Sequence, residues 1–447
     1  MQRSLIFKLA AIGFLCFVLL IALVRIGGVI GERQALRDKV VQDIARSSSY
    51  SQRLTGPLLV VPYTKTEYEW KEDTQTKQRY RDSHEVSGQL YFLPEVFRVD
   101  GKIQSETRSR GIYEARLYHA NNKISGRFDL PTQLGLGSTI ADYRFEPAFL
   151  AMGISDIRGI ENALTLVFDG QTIKFEPGAR TTLLGAGVHA MLGQLNNAGA
   201  SLEFSFDLRL QGTEQFDVTP VGRDTQVNLS SDWPHPSFVG EYLPVERSVD
   251  AKGFSARWQT SFFATNLEEA LQTCLNKASC EQFNARHFGV SLIDPVDQYL
   301  KSERAIKYSL LFIALTFAGF FLFEVLKKLA VHPIQYGLVG LALALFYLLL
   351  LSLAEHVGFA LAYAMSATGC VVLIGFYIVY VLHSLARGAG FATGLAALYG
   401  LLYCLLNAED YALLMGAILL FGLLTVVMVL TRNVNWFNLG GQKELSE

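Results

Sequence analysis

Apolar residues crowd the two ends of this chain and alternate with polar residues in between. The first unbroken apolar run covers residues 9–24, with Arg3 and Lys8 before it. Five more runs fall at 305–325, 334–353, 357–381, 391–406 and 411–430. A helix needs about 20 mostly apolar residues to cross a bilayer. Six transmembrane helices are therefore predicted, one N-terminal and five C-terminal. The fifth of the six is the weakest, because it is short and carries Gly388, Gly390, Gly394 and Gly400 in or just before it. Those glycines lower helix propensity but permit close helix packing. The first run could serve as a secretory signal. An uncleaved anchor is the better reading, because residues 25–30 continue the apolar character with no clean small-residue cleavage site.

Between the ends the period changes. Residues 32–47 place Leu36, Val40, Val41 and Ile44 at helical spacing, so a helix should continue outward from the first span. Residues 201–211 put Leu202, Phe204, Phe206, Leu208 and Leu210 on one face, with polar residues at every position between. That period of two predicts a half-buried antiparallel strand. Asp169-Gly170 between two apolar stretches signals a hairpin, and Asp100-Gly101 signals another. Further strands are expected at 58–62, 86–92, 111–118, 225–229 and 256–260. The expected fold is an α+β membrane protein with a large β-rich domain, either a β-sandwich or a two-lobed β domain. Its parts are the first helix (1–30), the β-rich domain (31–300) and a five-helix bundle (301–447).

Loop charge orients the spans by the positive-inside rule. Lys327 and Lys328 follow the second span, Arg387 the fourth, and Arg432 and Lys443 the sixth. Glu355-His356 and Glu409-Asp410 lie in the alternate loops. Both termini are then expected in the cytoplasm and the large domain outside, periplasmic in a two-membrane bacterium. Arg25, Arg33, Arg37 and Lys39 beyond span one argue the other way, but a long translocated domain tolerates such charges. Half of the residues are hydrophobic, 18% are charged and the net charge is −2. This suits a partly embedded chain and offers no basic field for nucleic acid.

Candidate chemistry is sparse. Cys274 and Cys280 are the two cysteines of the polar region and could form a local disulfide in an oxidising compartment. Two free thiols or a redox pair are the alternatives, and no C-x-x-C spacing supports the last. Residues 233–240 form a rigid loop, with His235 between two prolines and flanked by Trp233 and Phe238. It reads as a packed structural loop, with a binding loop or catalytic histidine as the functional alternative. Glu324 lies inside an apparent span and is a candidate by default, although snorkelling or a pair with Lys328 explains it cheaply. Glu355 and His356 are weighed the same way. Asp294 to Arg304 provides a charged hinge into span two. No nucleotide-binding, hydrolase, metalloprotease, Rossmann or kinase motif is present. No metal, cofactor or nucleotide is therefore expected.

Several motifs carry a family resemblance. They are Thr55-Gly56-Pro57-Leu58, Gly111-Ile112-Tyr113, Asp156-Ile157-Arg158-Gly159 and Ser231-Asp232-Trp233-Pro234-His235-Pro236-Ser237-Phe238. Asp294-Pro295-Val296-Asp297-Gln298-Tyr299, Leu315-Thr316-Phe317, His332-Pro333-Ile334-Gln335-Tyr336, the run from Phe346 to Ser352 and Thr431-Arg432-Asn433 continue the series. On these the chain resembles, nearly end to end, the CreD family of bacterial inner-membrane proteins. The resemblance implies a role in envelope integrity, a two-component regulon, colicin tolerance and β-lactam response. It implies no catalytic residue. The leading expectation is a non-enzymatic binding domain on a membrane body, with the bilayer and an envelope protein or lipid as partners. Lipid handling or transport is the alternative, and a hydrolase using His235 the third.

Overall fold

The computed structural model describes residues 2–72, 79–195, 199–277, 279–292, 298–327, 331–407 and 412–432. The chain divides into two compact units, residues 39–295 and residues 1–38 with 296–447. One helix, α1 (Gln2–Ser47), contributes to both. It ends where the Ser47 and Ser48 hydroxyls each donate to the Ile44 carbonyl at 2.9 Å, satisfying a last-turn acceptor.

The β unit holds seventeen strands among the described residues. The first six are β1 (Gln52–Glu72), β2 (Arg79–Phe92), β3 (Val96–Arg110), β4 (Tyr113–Asp129), β5 (Tyr143–Phe145) and β6 (Ala148–Ile154). Next come β7 (Thr165–Phe168), β8 (Gln171–Lys174), β9 (Glu176–Pro177), β10 (Gly187–Gly193), β11 (Ser201–Thr213) and β12 (Gln215–Val218). The last are β13 (Asp224–Ser231), β14 (Pro236–Gly240), β15 (Glu246–Asp250), β16 (Gly253–Ser261) and β17 (Phe288–Leu292). Short helices α2 (Phe262–Thr265), α3 (Leu267–Lys277) and α4 (Glu281–Ala285) precede β17.

The first sheet runs β14-β17-β12-β1-β6-β10-β9, with β2 and β5 also paired to β1. The second runs β15-β16-β13-β3-β4-β11-β7-β8. Both contribute to one apolar core, which joins Leu58–Val61 and Phe149 of the first sheet to Phe97, Phe206 and Trp258 of the second. The arrangement is therefore a two-layer sandwich. The alternation over 201–211 is realised in β11, where all five apolar side chains are buried and β4 pairs alongside throughout. Burying each such side chain contributes roughly 1.5–3 kcal/mol.

Asp169-Gly170 forms the turn between β7 and β8, both residues at positive φ. Asp100-Gly101 does not turn. It lies inside β3, where a Cβ on Gly101 would come within 2.6 Å of Leu229 and 2.7 Å of Asn122. That glycine answers a close approach between strands rather than a reversal. The β3–β4 reversal falls instead at Gly111, with φ at +66°.

The helical unit adds α5 (Gln298–Lys327), α6 (Pro333–Val357), α7 (Phe359–Leu382), α8 (Leu385–Asn407) and α9 (Ala412–Thr431). Among the described residues five helices are long and apolar enough to cross a membrane, α1 and α5 to α8, rather than the six expected. The sixth run does fold as a helix, α9, but several of its side chains lie outside the described residues. His332-Pro333 is a helix start. The Gln335 side chain accepts from the His332 amide, His332 Nδ1 accepts from the Ile334 amide, and Pro333 takes the first turn. Of the four glycines around α8, Gly388 alone meets a neighbouring helix, against Val379 of α7, while the other three face open space. Residues 293–297 of the expected hinge and Glu409-Asp410 lie outside the described residues.

Candidate functional site

The outer face of the second sheet carries a cluster of polar side chains. Tyr113, Ala115, Leu117, His119, Asn121 and Lys123 of β4 share this face by strand alternation. Val40, Val41 and Ile44 of α1 pack on Ala115 and Leu117. His119 follows. Its Nδ1 lies 2.8 Å from Glu161 Oε1 and its Nε2 lies 2.9 Å from Glu106 Oε2. Arg108 Nε donates to the other Glu106 oxygen at 3.0 Å. Hydrogen bonds from His119 and Arg108 hold the Glu106 carboxyl below its ordinary pKa. Burial of the His119 ring opposes its charge, but the Glu106 and Glu161 bonds outweigh that, and its pKa is raised.

Beyond His119 the same face opens into a trench of about 610 Å³. It is lined by hydrogen-bonding groups from β3, β4, β13, β15 and β16, among them Asp100, Lys102, Asn121, Asn228, Ser255 and Arg257. Asn228 Nδ2 donates to Asp100 Oδ1 at 2.7 Å and Arg257 to Glu246 at 3.3 Å. Charges of both signs are present, so the trench suits a polar ligand with many hydrogen-bonding groups rather than a simple anion.

On the side of α1, Asp156 caps the short turn Ile157–Gly159 and pairs with Arg158 at 2.6 Å. Arg158 Nη1 donates to the Arg46 carbonyl at 2.8 Å, closing the end of α1. The Tyr50 amide donates to Asp156 at 3.2 Å, and the bond from Arg158 chiefly depresses the Asp156 pKa. The Asp-Ile-Arg-Gly motif is thus one fastening of the end of α1 to the sandwich.

Trp233 and Phe238 of the loop singled out by sequence pack against the core. Phe238 of β14 lies edge-on to Phe254 and Trp258. Trp233 donates from Nε1 to the His235 carbonyl at 3.1 Å, with the Arg116 guanidinium 3.9 Å from its ring. His235 is exposed and meets Trp233 edge-on. Cys274 and Cys280 are joined as a disulfide. A cluster not anticipated from sequence surrounds buried Asp217. Its carboxylate accepts two bonds from Gln215, and Arg53 stands 3.6 Å away, donating also to His287. Among the described residues no three of His, Cys, Asp or Glu gather as a metal-binding group.

In the helical unit, Glu324 near the end of α5 is buried. Lys8 of α1 forms an ion pair with it, the Tyr336 hydroxyl donates to it at 2.9 Å, and the Val331 amide lies at 3.5 Å. Lys8 is thus a partner of Glu324, and the Lys328 weighed from sequence lies outside the described residues. Glu355 at the end of α6 is held in the same way, by the Tyr299 hydroxyl at 3.1 Å and Arg33 at 3.9 Å. His356 turns to the Ser352 carbonyl at 3.0 Å and is exposed. Lys8 and Arg33 are about 37 Å apart along α1 at 1.5 Å per residue. Each end of its apolar stretch is fastened by a base, a buried carboxylate and a tyrosine.

A β-sandwich on a long N-terminal helix, followed by an apolar bundle, defines a multi-pass membrane protein of the α+β class. Residues 4–437 match the family described as "Inner membrane protein CreD". The chain belongs to the CreD family. It is 36% identical over 437 residues to inner membrane protein CreD of Escherichia coli (strain K12), covering 98% of this chain and 95% of that one. Solved structures are far more remote. A candidate nutrient-binding protein from Legionella pneumophila reaches a TM-score of 0.21 at 9% identity, over 38% of this chain and 66% of that one. Native leukotriene A4 hydrolase from Saccharomyces cerevisiae reaches 0.17 at 10% identity, over 36% and 26%. Neither likeness bears on fold or function.

Proposed function

We propose that this inner-membrane protein supports envelope integrity by binding an envelope component, without catalysis, in the trench of its β unit. The domain faces the periplasm and both termini the cytoplasm, as the alternating loop charges favour. The apolar helices of the membrane body anchor it. Envelope-stress, colicin and β-lactam responses then follow from occupancy of the domain. The observation that carries this reading is the trench itself, about 610 Å³ lined by polar side chains of five strands. Converging polar groups in a concavity fix the orientation of a ligand and supply specificity.

The test is complementation of a deletion strain, read as dye and detergent uptake. Asn121→Leu with Asn228→Leu fills the trench and removes two amides. Loss of rescue, with the variant folded and inserted, supports the proposal, and full rescue rejects it. Lipid handling is the second reading. An apolar cleft between α5 and α8, lined by Tyr308, Leu311, Phe312, Leu315, Leu398 and Leu402, supports it. It predicts a lipid that copurifies and is lost on Leu398→Trp.

A further inference from the structure

His119 stands between two features of one sheet face, the packing site of α1 and the trench. Leu117, two residues before it, lies under α1, and Asn121, two residues after it, lines the trench. Each step is about 7 Å along the strand. Both ring nitrogens face carboxylate oxygens, at 2.8 and 2.9 Å. A carboxylate only accepts, so both nitrogens must donate, and only the imidazolium can do that. Neutral imidazole keeps one N–H and must give up one glutamate.

The glutamate on the loop side matters most. Glu161 follows directly on the Asp156–Ile160 segment, whose Arg158 closes the end of α1. The Glu161 amide is tied to the Arg209 carbonyl and the Asn162 side chain to the Arg209 amide, so the segment is already held on β11 by backbone. The charged groups around the ring are Glu106 and Arg108 from β3, Glu161 from the loop and Arg209 two positions along β11 from its opposite residue. Asp43 of α1 pairs with Arg110 at 3.9 Å.

We infer that His119 is a proton-operated latch beside the trench: protonated, it adds a clamp between the 156–162 loop and the sheet to the backbone bonds already there, and neutral, it gives up one glutamate and loosens that loop and the α1 end that Arg158 ties to it. The inference rests on the trench being the binding site, and names its regulation. Ligand binding and external pH then act on the same stretch of β4, and α1 is the element that continues from it into the helical unit. In an envelope compartment whose pH follows the medium, acid locks the assembly and alkali loosens it.

The experiment is amide hydrogen exchange on the full-length protein in lipid nanodiscs, corrected for intrinsic rates, from about pH 6 to about pH 9, a span that brackets ordinary histidine titration. Peptides covering 40–50 and 156–163 should lose protection about tenfold as pH rises, the scale of one charge-assisted hydrogen bond. His119→Gln should abolish the step. Glu161→Gln, whose amide can accept from imidazolium and donate to neutral imidazole while the His119–Glu106 bond stays, should flatten the step. Flat protection in the unmodified protein, or an unchanged step in either variant, overturns the latch. The trench variants Asn121→Leu and Asn228→Leu should keep the step. If they also restore envelope integrity in full, the binding site is wrong while the latch stands.

Discussion

Replacing Lys8 by Met removes the cation from a Glu324 side chain that is only 10% exposed. Breaking a buried pair by deleting one member costs about 3–5 kcal/mol. The Tyr336 hydroxyl at 2.9 Å and the Val331 amide at 3.5 Å stay with the carboxylate. The lower end, about 3 kcal/mol, is therefore expected for Lys8→Met. Glu324→Leu leaves Lys8 able to reach water along its stem and orphans the Tyr336 hydroxyl, for about 2 kcal/mol. The double variant orphans only that hydroxyl, again about 2 kcal/mol. The cycle then gives a coupling of about 3 kcal/mol. Equilibrium unfolding in mixed detergent and dodecyl sulfate micelles measures all four free energies. A coupling below about 0.5 kcal/mol would refute the pair, since that is the noise of independent sites. Envelope complementation by the double variant adds the functional half. Rescue marks Glu324 as a fastening of α1, whereas a stable but inactive double variant marks it as a proton or substrate carrier.

The isolated β unit should be most stable in mildly acid solution. His119 has a raised folded pKa, so its contribution is fully present below its unfolded value of about 6.5 and is lost as pH climbs through the folded value. Asp156 and Glu106 have lowered folded pKa values, so their contributions are present above about pH 4 to 5 and vanish as pH falls through the folded values. A urea midpoint that rises steadily from about pH 5 to about pH 9 would contradict this. Trp258→Ala removes a fully buried indole that stacks on Phe288 at 5.3 Å and donates to the Tyr242 carbonyl at 3.1 Å. It should cost about 3–5 kcal/mol by the same urea assay. Gly388→Leu forces α8 away from Val379, where even a Cβ would lie 2.8 Å from the α-carbon. It should lower the unfolding free energy in micelles by about 1–3 kcal/mol, whereas Gly394→Leu, facing open space, should not.

What the amino-acid order determined alone was local. The apolar runs placed α5 to α9 to within a few residues, except that α5 begins seven residues before its run, at Gln298, and α8 six before, at Leu385. The period of two specified which side chains of β11 face the core, and Asp169-Gly170 specified a turn, because each is a property of a few adjacent residues. Asp100-Gly101 has the same local signature, yet it lies in mid-strand. There the packing of Leu229 and Asn122, more than 100 and about 20 residues away, demands a missing Cβ. The partners of ionisable groups were equally out of reach. Glu324 takes Lys8, 316 residues away, because the folded bundle brings that base alongside the buried carboxylate. His119 takes Glu106 and Glu161, 13 and 42 residues away, through strand register and one loop. The trench has no signature at all in the sequence. Its lining side chains are ordinary solvent-facing residues of five strands, and only the order β15-β16-β13-β3-β4 sets them side by side.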